Sequence, residues 1–219
     1  MIQSAKLRTL LSAAMLSMAG AGLLVGGTYA LFTDSVSIGN HLEAGNLNIS
    51  LLRTSYSKTT LDSDGYLSTV TDSTEVDFSE ETEENIFALE EDEYVVPGSS
   101  FLANLKLVNG KKDGDNYVPS SVAFSYNVKI VVSEDSNPDF ISQLTVTVKK
   151  GEEEVANKKL SEFGTDAILS GKMTKNDASA EFSVKVAFDD LDPEKNNKAQ
   201  DKKASFDLKV EAIQLTSAE

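Results

Sequence analysis

The chain has 219 residues, with no cysteine, one histidine, and 20 basic against 35 acidic residues, which give a formal net charge of −15. A surface this acidic repels nucleic acid and anionic lipid headgroups, so the composition excludes both as partners. Because no disulfide can form, the fold depends on packing and hydrogen bonds alone.

The first thirty residues are typical of a secretion signal. Two basic residues precede an uncharged apolar run over residues 10–25, and small side chains stand at Thr28 and Ala30, the positions that a signal peptidase reads. We therefore predict that residues 1–30 are a signal peptide, cleaved between Ala30 and Leu31. The same uncharged length is also enough to span a bilayer, so an uncleaved N-terminal anchor is the alternative.

A short strand is predicted directly after the cleavage point. Phe32, Val36 and Ile38 share one parity, as in a half-buried strand. Asp34 interrupts this apolar face. Cleavage would free residues 31–44, the strand and its following turn, with no hydrogen-bonded neighbour adjacent in sequence. This strand pairs with another molecule, folds back on its own domain or stays disordered.

The next strand is predicted from Leu47, Ile49 and Leu51, which lie on one face. After it the apolar rhythm weakens, and Ser, Thr, Asp and Glu dominate residues 54–93. We interpret 54–93 as a solvated acidic insertion. One hairpin is expected inside it at Asp64-Gly65, a dipeptide suited to a tight turn.

The regular body of the chain begins after Pro97-Gly98. Apolar and polar residues alternate in five further strands, centred on residues 101–107, 122–132, 144–148, 182–188 and 206–212. Shorter strands are predicted near Val155 and Ile168-Leu169. Asn137-Pro138 supplies a helix cap and a first-turn proline, so a brief helix is expected there. Asp192-Pro193 opens a polar connection.

Period two persists through nearly every apolar run, and no segment shows a helical stripe of three turns. Strands with one apolar face pack as two sheets face to face. We therefore predict an all-β fold. It is a two-sheet antiparallel β-sandwich over residues 45–219, jelly-roll-like in topology and preceded by the N-terminal strand.

The chain offers little for catalysis. His41 is the only histidine and is expected in a turn, so neither a histidine-rich zinc site nor a Ser-His-Asp triad is predicted. Carboxylate pairs such as Asp189-Asp190 are too common in so acidic a chain to indicate acid–base chemistry. The segment 62–65, Asp-Ser-Asp-Gly, begins like a calcium loop but lacks the third acidic ligand and the closing Glu. We predict no cofactor beyond weak calcium binding by the acidic loops.

Several motifs resemble the TasA/camelysin (CalY) family of secreted proteins of Gram-positive bacteria. GGTYALFTD, residues 26–34, precedes HLEAGNLNI, residues 41–49. The family has a G-T-[WY]-A-x-F-[NST]-D boundary before an A-G-x-L-[DN]-[IL] strand. The likeness continues at residues 97–98, 107–110, 138–143, 192–193 and 211–214. The acidic segment 54–93 is longer than the usual connection of the family.

The resemblance implies a jelly-roll β-sandwich that is secreted with a SipW-type signal peptide and assembles into extracellular biofilm-matrix fibres. In such fibres the freed N-terminal strand of one subunit completes a sheet of the next. On the matching positions the donor strand is residues 31–40. Its inward anchors are Phe32, Val36 and Ile38. Asp34 is expected at the mouth of the acceptor slot or beside a basic partner.

The partners implied are further copies of the chain, arranged head to tail, a dedicated signal peptidase and a matrix accessory protein. The membrane is contacted only through the signal segment before cleavage. Two other functions stay open. Members of the family can carry the label of a camelysin-type cell-surface metallopeptidase, which chelator-sensitive peptide cleavage would indicate. A monomeric surface protein that keeps residues 1–30 as a membrane anchor is the third hypothesis.

Overall fold

The computed structural model describes the backbone of residues 30–41 and, beyond it, residues 47–79, 82, 84–89, 94–113 and 116–215. The predicted signal segment before Ala30 and the predicted turn at residues 42–45 lie outside the described residues, so both stay predictions.

Fourteen strands and three short helices make up the described chain. The strands are β1 Ala30–His41, β2 Ser50–Leu61, β3 Leu67–Asp72, β4 Val76–Asp77, β5 Tyr94–Val95, β6 Ser100–Val108, β7 Lys111–Asp113, β8 Asn116–Val118, β9 Phe124–Val132, β10 Leu144–Lys150, β11 Glu153–Lys159, β12 Leu169–Met173, β13 Ser179–Phe188 and β14 Lys202–Gln214. The helices are α1 Pro138–Ile141, a 3₁₀ helix Leu160–Glu162 and α2 Pro193–Asn197.

The strands form two main sheets. One has the order β12-β9-β14-β1-β5, and the other has the order β11-β10-β13-β6-β2-β3, with β4 also beside β2. Strands β7 and β8 form a small separate hairpin. The sheets pack against each other, which confirms the predicted all-β sandwich. Its described pairings are antiparallel except that of β1 with β14, which is parallel.

The core lies between the two sheets and follows the predicted alternation. One hydrophobic cluster joins residues of β9 and β14 in the first sheet with residues of β6, β10 and β13 in the second. Its members include Phe124, Tyr126, Val128, Ile130, Phe206, Leu208, Val210, Phe101, Ala103, Leu105, Leu107, Val146, Val148, Val184 and Val186. Each buried Val, Leu, Ile or Phe side chain stabilises the fold by about 1.5–3 kcal/mol.

Helix α1 confirms the prediction made from Asn137-Pro138. The Asn137 side-chain oxygen accepts hydrogen bonds from the backbone N–H groups of Asp139, at 3.1 Å, and Phe140, at 3.2 Å. The buried Phe140 ring lies 5.2 Å, between centroids, from the Phe188 ring. The Asn137 N–H donates to the Lys203 carbonyl at 2.8 Å, so the helix is tied to the first residues of β14.

The interpretation of residues 54–93 as a solvated insertion is wrong for much of the segment. Strand β2 continues to Leu61 between β6 and β3. The expected hairpin does form, and Gly65 takes a φ of 80° in its turn. Ile86 and Phe87 are fully buried in the core. The second half of β2 shows no apolar alternation in the sequence, because its Ser and Thr residues are only half-buried. Ile86 and Phe87 form a single apolar pair among acidic residues, which is too short to show a periodic pattern.

The connection at Asp192-Pro193 contains α2, which the sequence did not indicate. Pro193 occupies the first turn, and the Asp192 carboxylate caps it by accepting a hydrogen bond from the Lys195 N–H at 3.0 Å. Helix α2 is capped in the same way as α1, by the side chain of the residue before a first-turn proline. The sequence did not indicate α2, because the apolar residues around Asp192 have no helical spacing.

Candidate assembly interface

Strand β14 is the centre of the candidate site. Its residues alternate between buried and half-exposed positions. The buried set is Ala204, Phe206, Leu208, Val210 and Ala212. One edge of β14 pairs with β9 in antiparallel register from Phe206 to Gln214. The other edge is therefore open to a further strand, whose hydrogen-bonding groups must match those of β14.

Strand β1 occupies that other edge, in parallel. The register runs from Ala30 opposite Lys202 to His41 opposite Ile213 without a shift, which makes twelve paired positions. The predicted donor, residues 31–40, is thus a strand, and within this single chain it lies on its own domain. His41 belongs to β1, so the expectation that it lies in a turn is wrong.

The three predicted anchors share a register with the buried face of β14. Their positions, Phe32, Val36 and Ile38, match Ala204, Leu208 and Val210, each of which is fully buried. Residues in register on neighbouring parallel strands stand on the same face of the sheet. The three anchor positions are therefore in register with buried positions of β14, and their role as anchors stays a prediction.

Asp34 is in register with Phe206. The Phe206 ring is fully buried and meets the Phe87 ring edge-on, with 6.3 Å between centroids. Phe87 in turn lies 6.0 Å from the Phe101 ring. The acidic segment that supplies Phe87 therefore helps to build the surroundings of β14.

Strand β5 closes the far side of β1 at its first residues. Ala30 pairs with Val95 and Leu31 with Tyr94, in antiparallel register. The predicted cleavage point between Ala30 and Leu31 lies within this pairing. The sequence analysis did not predict that β5 pairs with β1. The apolar pair Val95-Val96 before Pro97 is the signal that could have indicated this strand.

Charged groups secure the first residues of β14. The Lys203 ammonium lies 3.4 Å from the Asp135 carboxylate, in the loop between β9 and α1. The Ser133 hydroxyl, and then the charge of Lys203, hold the pKa of Asp135 below its ordinary value. In the same loop the Ser136 hydroxyl donates to the Ser205 carbonyl and accepts from the Ser205 N–H, both at 2.9 Å.

The remaining candidate groups serve the fold. An oxygen of the Asp62 carboxylate accepts hydrogen bonds from the N–H groups of Asp64, at 3.0 Å, and Tyr66, at 2.9 Å, and so closes the β2–β3 turn. Asp189 pairs with Lys159 and accepts a hydrogen bond from the Thr145 hydroxyl at 2.9 Å. Among the described residues no group of three or more His, Asp or Glu side chains could hold a metal ion.

Of the helices that the structure describes, none has the length and apolar character needed to cross a membrane. The chain matches no protein-family model, no curated protein and no solved structure. The likeness to the TasA/camelysin family therefore rests on the motifs of the sequence alone.

Proposed function

We propose that the chain is a secreted structural subunit of extracellular biofilm-matrix fibres, which polymerises by donating β1 to the next subunit. The observation that carries the proposal is the pairing of β1 with β14. It runs the full length of β1 and joins two segments that are far apart in the sequence, in parallel. In the sequence, β1 is connected to the sandwich only through the residues between His41 and Ser50.

Strand exchange follows from this connectivity. The β1 of a second copy can form the same register with β14, so exchange replaces each hydrogen bond with an equivalent one. Without β1, the N–H and C=O groups of every second residue of β14 along this register would be unpaired, which favours capture of a strand. A donor that seats in its neighbour leaves its own β14 open to a third copy. The contact is head to tail and propagates as a filament.

In this proposal Phe32, Val36 and Ile38 anchor the donor at the register positions of Ala204, Leu208 and Val210. Burial of each anchor stabilises the seated strand by about 1.5–3 kcal/mol. Cleavage after Ala30 by a signal peptidase frees the donor, and the sandwich follows a jelly-roll-like path. The TasA/camelysin resemblance supports the role of the anchors, the cleavage after Ala30 and the jelly-roll-like path.

Negative-stain electron microscopy tests the proposal. We expect filaments from purified residues 31–219 and only monomers from residues 43–219, which lack the donor. The β-sheet circular dichroism of the shorter chain checks that it is folded. Added synthetic peptide 31–41 should bind residues 43–219, because β14 is then open.

A matched pair of variants separates the anchors from the length of the strand. Val36→Lys places a charge at a core-side position and should abolish the filaments. Ser35→Lys makes the same change on the opposite face, in register with Asp207, and should leave them intact. Filaments from residues 43–219 would show that assembly uses another surface.

A further inference from the structure

The one Asn-Gly dipeptide of the chain, Asn109-Gly110, directly follows β6. Asn109 is buried, with 4 % of its surface exposed. Its side-chain nitrogen donates to the carbonyls of Thr174 and Asp177, both at 3.0 Å, and its side-chain oxygen accepts from the Ser120 N–H at 3.2 Å. These three hydrogen bonds need an amide at this position, with its nitrogen towards the two carbonyls.

The Asn109 side chain joins segments that are distant in the sequence. Its two carbonyl partners lie in the turn between β12 and β13, where the Asn109 N–H also donates to the Ala178 carbonyl at 3.0 Å. Its third partner, Ser120, has a hydroxyl that donates to the Asn48 carbonyl at 2.7 Å and accepts from the Asn48 N–H at 2.8 Å. Asn48 lies just before β2, where the connection from β1 enters the sandwich. We call the set Asn48, Asn109, Ser120, Thr174 and Asp177 the Asn109 corner.

Packing requires the glycine as well. A Cβ added to Gly110 would stand 3.0 Å from the Val118 carbonyl oxygen and 3.1 Å from Tyr117 Cβ, closer than side chains ordinarily approach. Glycine has no side chain that hinders attack on its neighbour by its own backbone nitrogen. The fold therefore needs an asparagine at 109 and a glycine at 110, and this pair is chemically the most reactive that an asparagine can form.

We propose that Asn109-Gly110 is a site of spontaneous deamidation, which folding protects and unfolding exposes. In the reaction the Gly110 backbone nitrogen attacks the side-chain carbonyl carbon of Asn109. The new N–C bond replaces the bond to Nδ2, which leaves as ammonia together with the Gly110 proton, and a cyclic imide remains. Water then opens the imide at either carbonyl, which gives aspartate or isoaspartate. Water is the only co-reactant.

The folded corner opposes the first step. The attacked carbon becomes tetrahedral and Nδ2 leaves, so both hydrogen bonds from Nδ2 to the carbonyls of Thr174 and Asp177 are lost. Because Asn109 is buried, these carbonyls would be left without a donor, which is costly. In the unfolded chain water bonds the amide and the carbonyls, and the cost disappears. Folding therefore slows the reaction.

The product does not fit the corner. An aspartate at position 109 has only acceptor oxygens, so one of them would face the carbonyl oxygens of Thr174 and Asp177 without a hydrogen between them. A buried charge without a donor is strongly unfavourable. Isoaspartate also lengthens the backbone by a methylene group. A chain that deamidates while unfolded therefore cannot restore its native corner, and its unfolding becomes irreversible.

Mass spectrometry of the purified, unaltered protein tests the protection, and it does not depend on filaments. Trypsin releases residues 107–111, Leu-Val-Asn-Gly-Lys, in which Asn109 is the single side-chain amide. We expect deamidation of this peptide to be several-fold faster when the protein is kept in guanidinium chloride than in native buffer at the same mildly alkaline pH. The peptide 151–158 contains the exposed Asn157 and is the internal control, with equal and slow deamidation in both samples. Equal rates at Asn109 overturn the proposal.

A pair of variants tests the effect of the product. Asn109→Asp should lower the denaturant midpoint of unfolding and speed amide hydrogen exchange in residues 174–178. Asn157→Asp adds the same charge at an exposed position of β11 and should leave both unchanged. An Asn109→Asp protein with the midpoint of the unaltered chain overturns the proposal.

A refolding experiment decides the question even if Asn109→Asp does not fold. The unaltered protein is kept in guanidinium chloride until part of it has deamidated, and it is then diluted into native buffer. Size-exclusion chromatography separates the refolded monomer from the remainder. Deamidated Asn109 should be depleted in the refolded monomer and enriched in the remainder. Equal amounts in the two fractions would show that the product fits the fold, and would overturn the proposal.

Discussion

The β2–β3 hairpin and the β1–β14 pair are held together in opposite ways. In the hairpin, a short turn at residues 62–66 joins two antiparallel strands over six paired positions. In the other pair, two strands that are far apart in the sequence run parallel over twelve positions. The turn keeps β3 near β2 even when their hydrogen bonds open. No such turn joins β1 to β14.

This difference separates permanent from replaceable contacts. Closing a short loop costs little entropy, so the hairpin reforms within its own chain faster than any other molecule can intervene. The segments β1 and β14 are far apart in the sequence. The advantage of pairing within one chain is therefore only the effective concentration of β1 that the rest of the domain sets near β14. A neighbour's β1 can therefore compete for β14, whereas β3 stays with the β2 of its own chain.

The largest expected effect on the free energy of unfolding comes from Phe206, a buried residue of β14 in register with β1. Phe206→Ala removes a fully buried ring that meets Phe87 and should lower the free energy of unfolding by about 3–5 kcal/mol. Urea denaturation measures this loss. Because Phe206 is in register with β1, amide hydrogen exchange should accelerate most in residues 31–41 and least in β3.

Phe182→Ala is the matched control, since Phe182 is also buried but lies on β13 in the other sheet. It should lower the free energy of unfolding to a similar extent without selective loss of protection in residues 31–41. Equal loosening of β1 in both variants would mean that β1 reports only global stability.

The next effect concerns the segment that links the two regions. The buried guanidinium of Arg53, on β2, donates to the Glu84 carboxylate and, at 2.7 Å, to the Asn85 carbonyl. Arg53→Met should lower the free energy of unfolding by about 2–3 kcal/mol, because both charge-assisted bonds disappear. Residues 84–89 should then lose amide protection, which hydrogen exchange reports.

Glu84→Gln serves as the control for Arg53→Met. The Glu84 side chain is half exposed, and glutamine keeps an acceptor oxygen, so the loss should stay below about 1 kcal/mol. A loss equal to that of Arg53→Met would show that the ion pair, rather than the anchoring of the Asn85 backbone, fixes the segment.

The strands that the sequence predicts well are those with long apolar alternation. Period two identifies β6, β9, β10, β13 and β14, because each presents one face to the core. Helix α1 is predictable because Asn137 and Pro138 act locally, within one turn. In these elements the physical cause lies within a few residues of the element itself.

Apart from α2, the elements that the sequence did not indicate depend on distant partners. The position of β1 beside β14 is set by which edge is vacant, and no local pattern encodes that. β5 has two residues, and its strand character comes from pairing with β1. Ile86 and Phe87, which are buried, follow two residues that the distant Arg53 holds by hydrogen bonds. The two strands that flank β1, β14 and β5, were therefore not predictable from the sequence.

On the hairpin side, Gly98→Ala should lower the free energy of unfolding by about 1–2 kcal/mol. Gly98 has a φ of 91°, which an L side chain rarely adopts, and its new Cβ would press on the Leu67 side chain. Gly164→Ala is the control, because no atom lies within 4 Å of its added Cβ. Thermal unfolding compares the two. An unchanged Gly98→Ala would show that Leu67 and the backbone adjust freely.

The smallest expected effect is the response of two carboxylate pKa values to salt, one in the β2–β3 hairpin and one beside β14. Hydrogen bonds from the Thr74 hydroxyl and then the Thr74 N–H hold the pKa of Asp72, at the end of β3, below its ordinary value. The pKa of Asp135, beside β14, is lowered first by the Ser133 hydroxyl and next by the Lys203 charge. Each carboxylate stabilises the fold above its ordinary pKa. That contribution is lost as the pH falls through the lowered pKa.

Salt screens the charge of Lys203 but leaves short hydrogen bonds in place. In an NMR titration the pKa of Asp135 should therefore rise towards its ordinary value in concentrated salt, whereas that of Asp72 should move less. Lys203→Gln should reproduce the effect of salt at Asp135 alone. If salt moves both pKa values equally, charge rather than hydrogen bonding governs the hairpin as well. The loop beside β14 would then be no more sensitive to ionic strength than the β2–β3 hairpin.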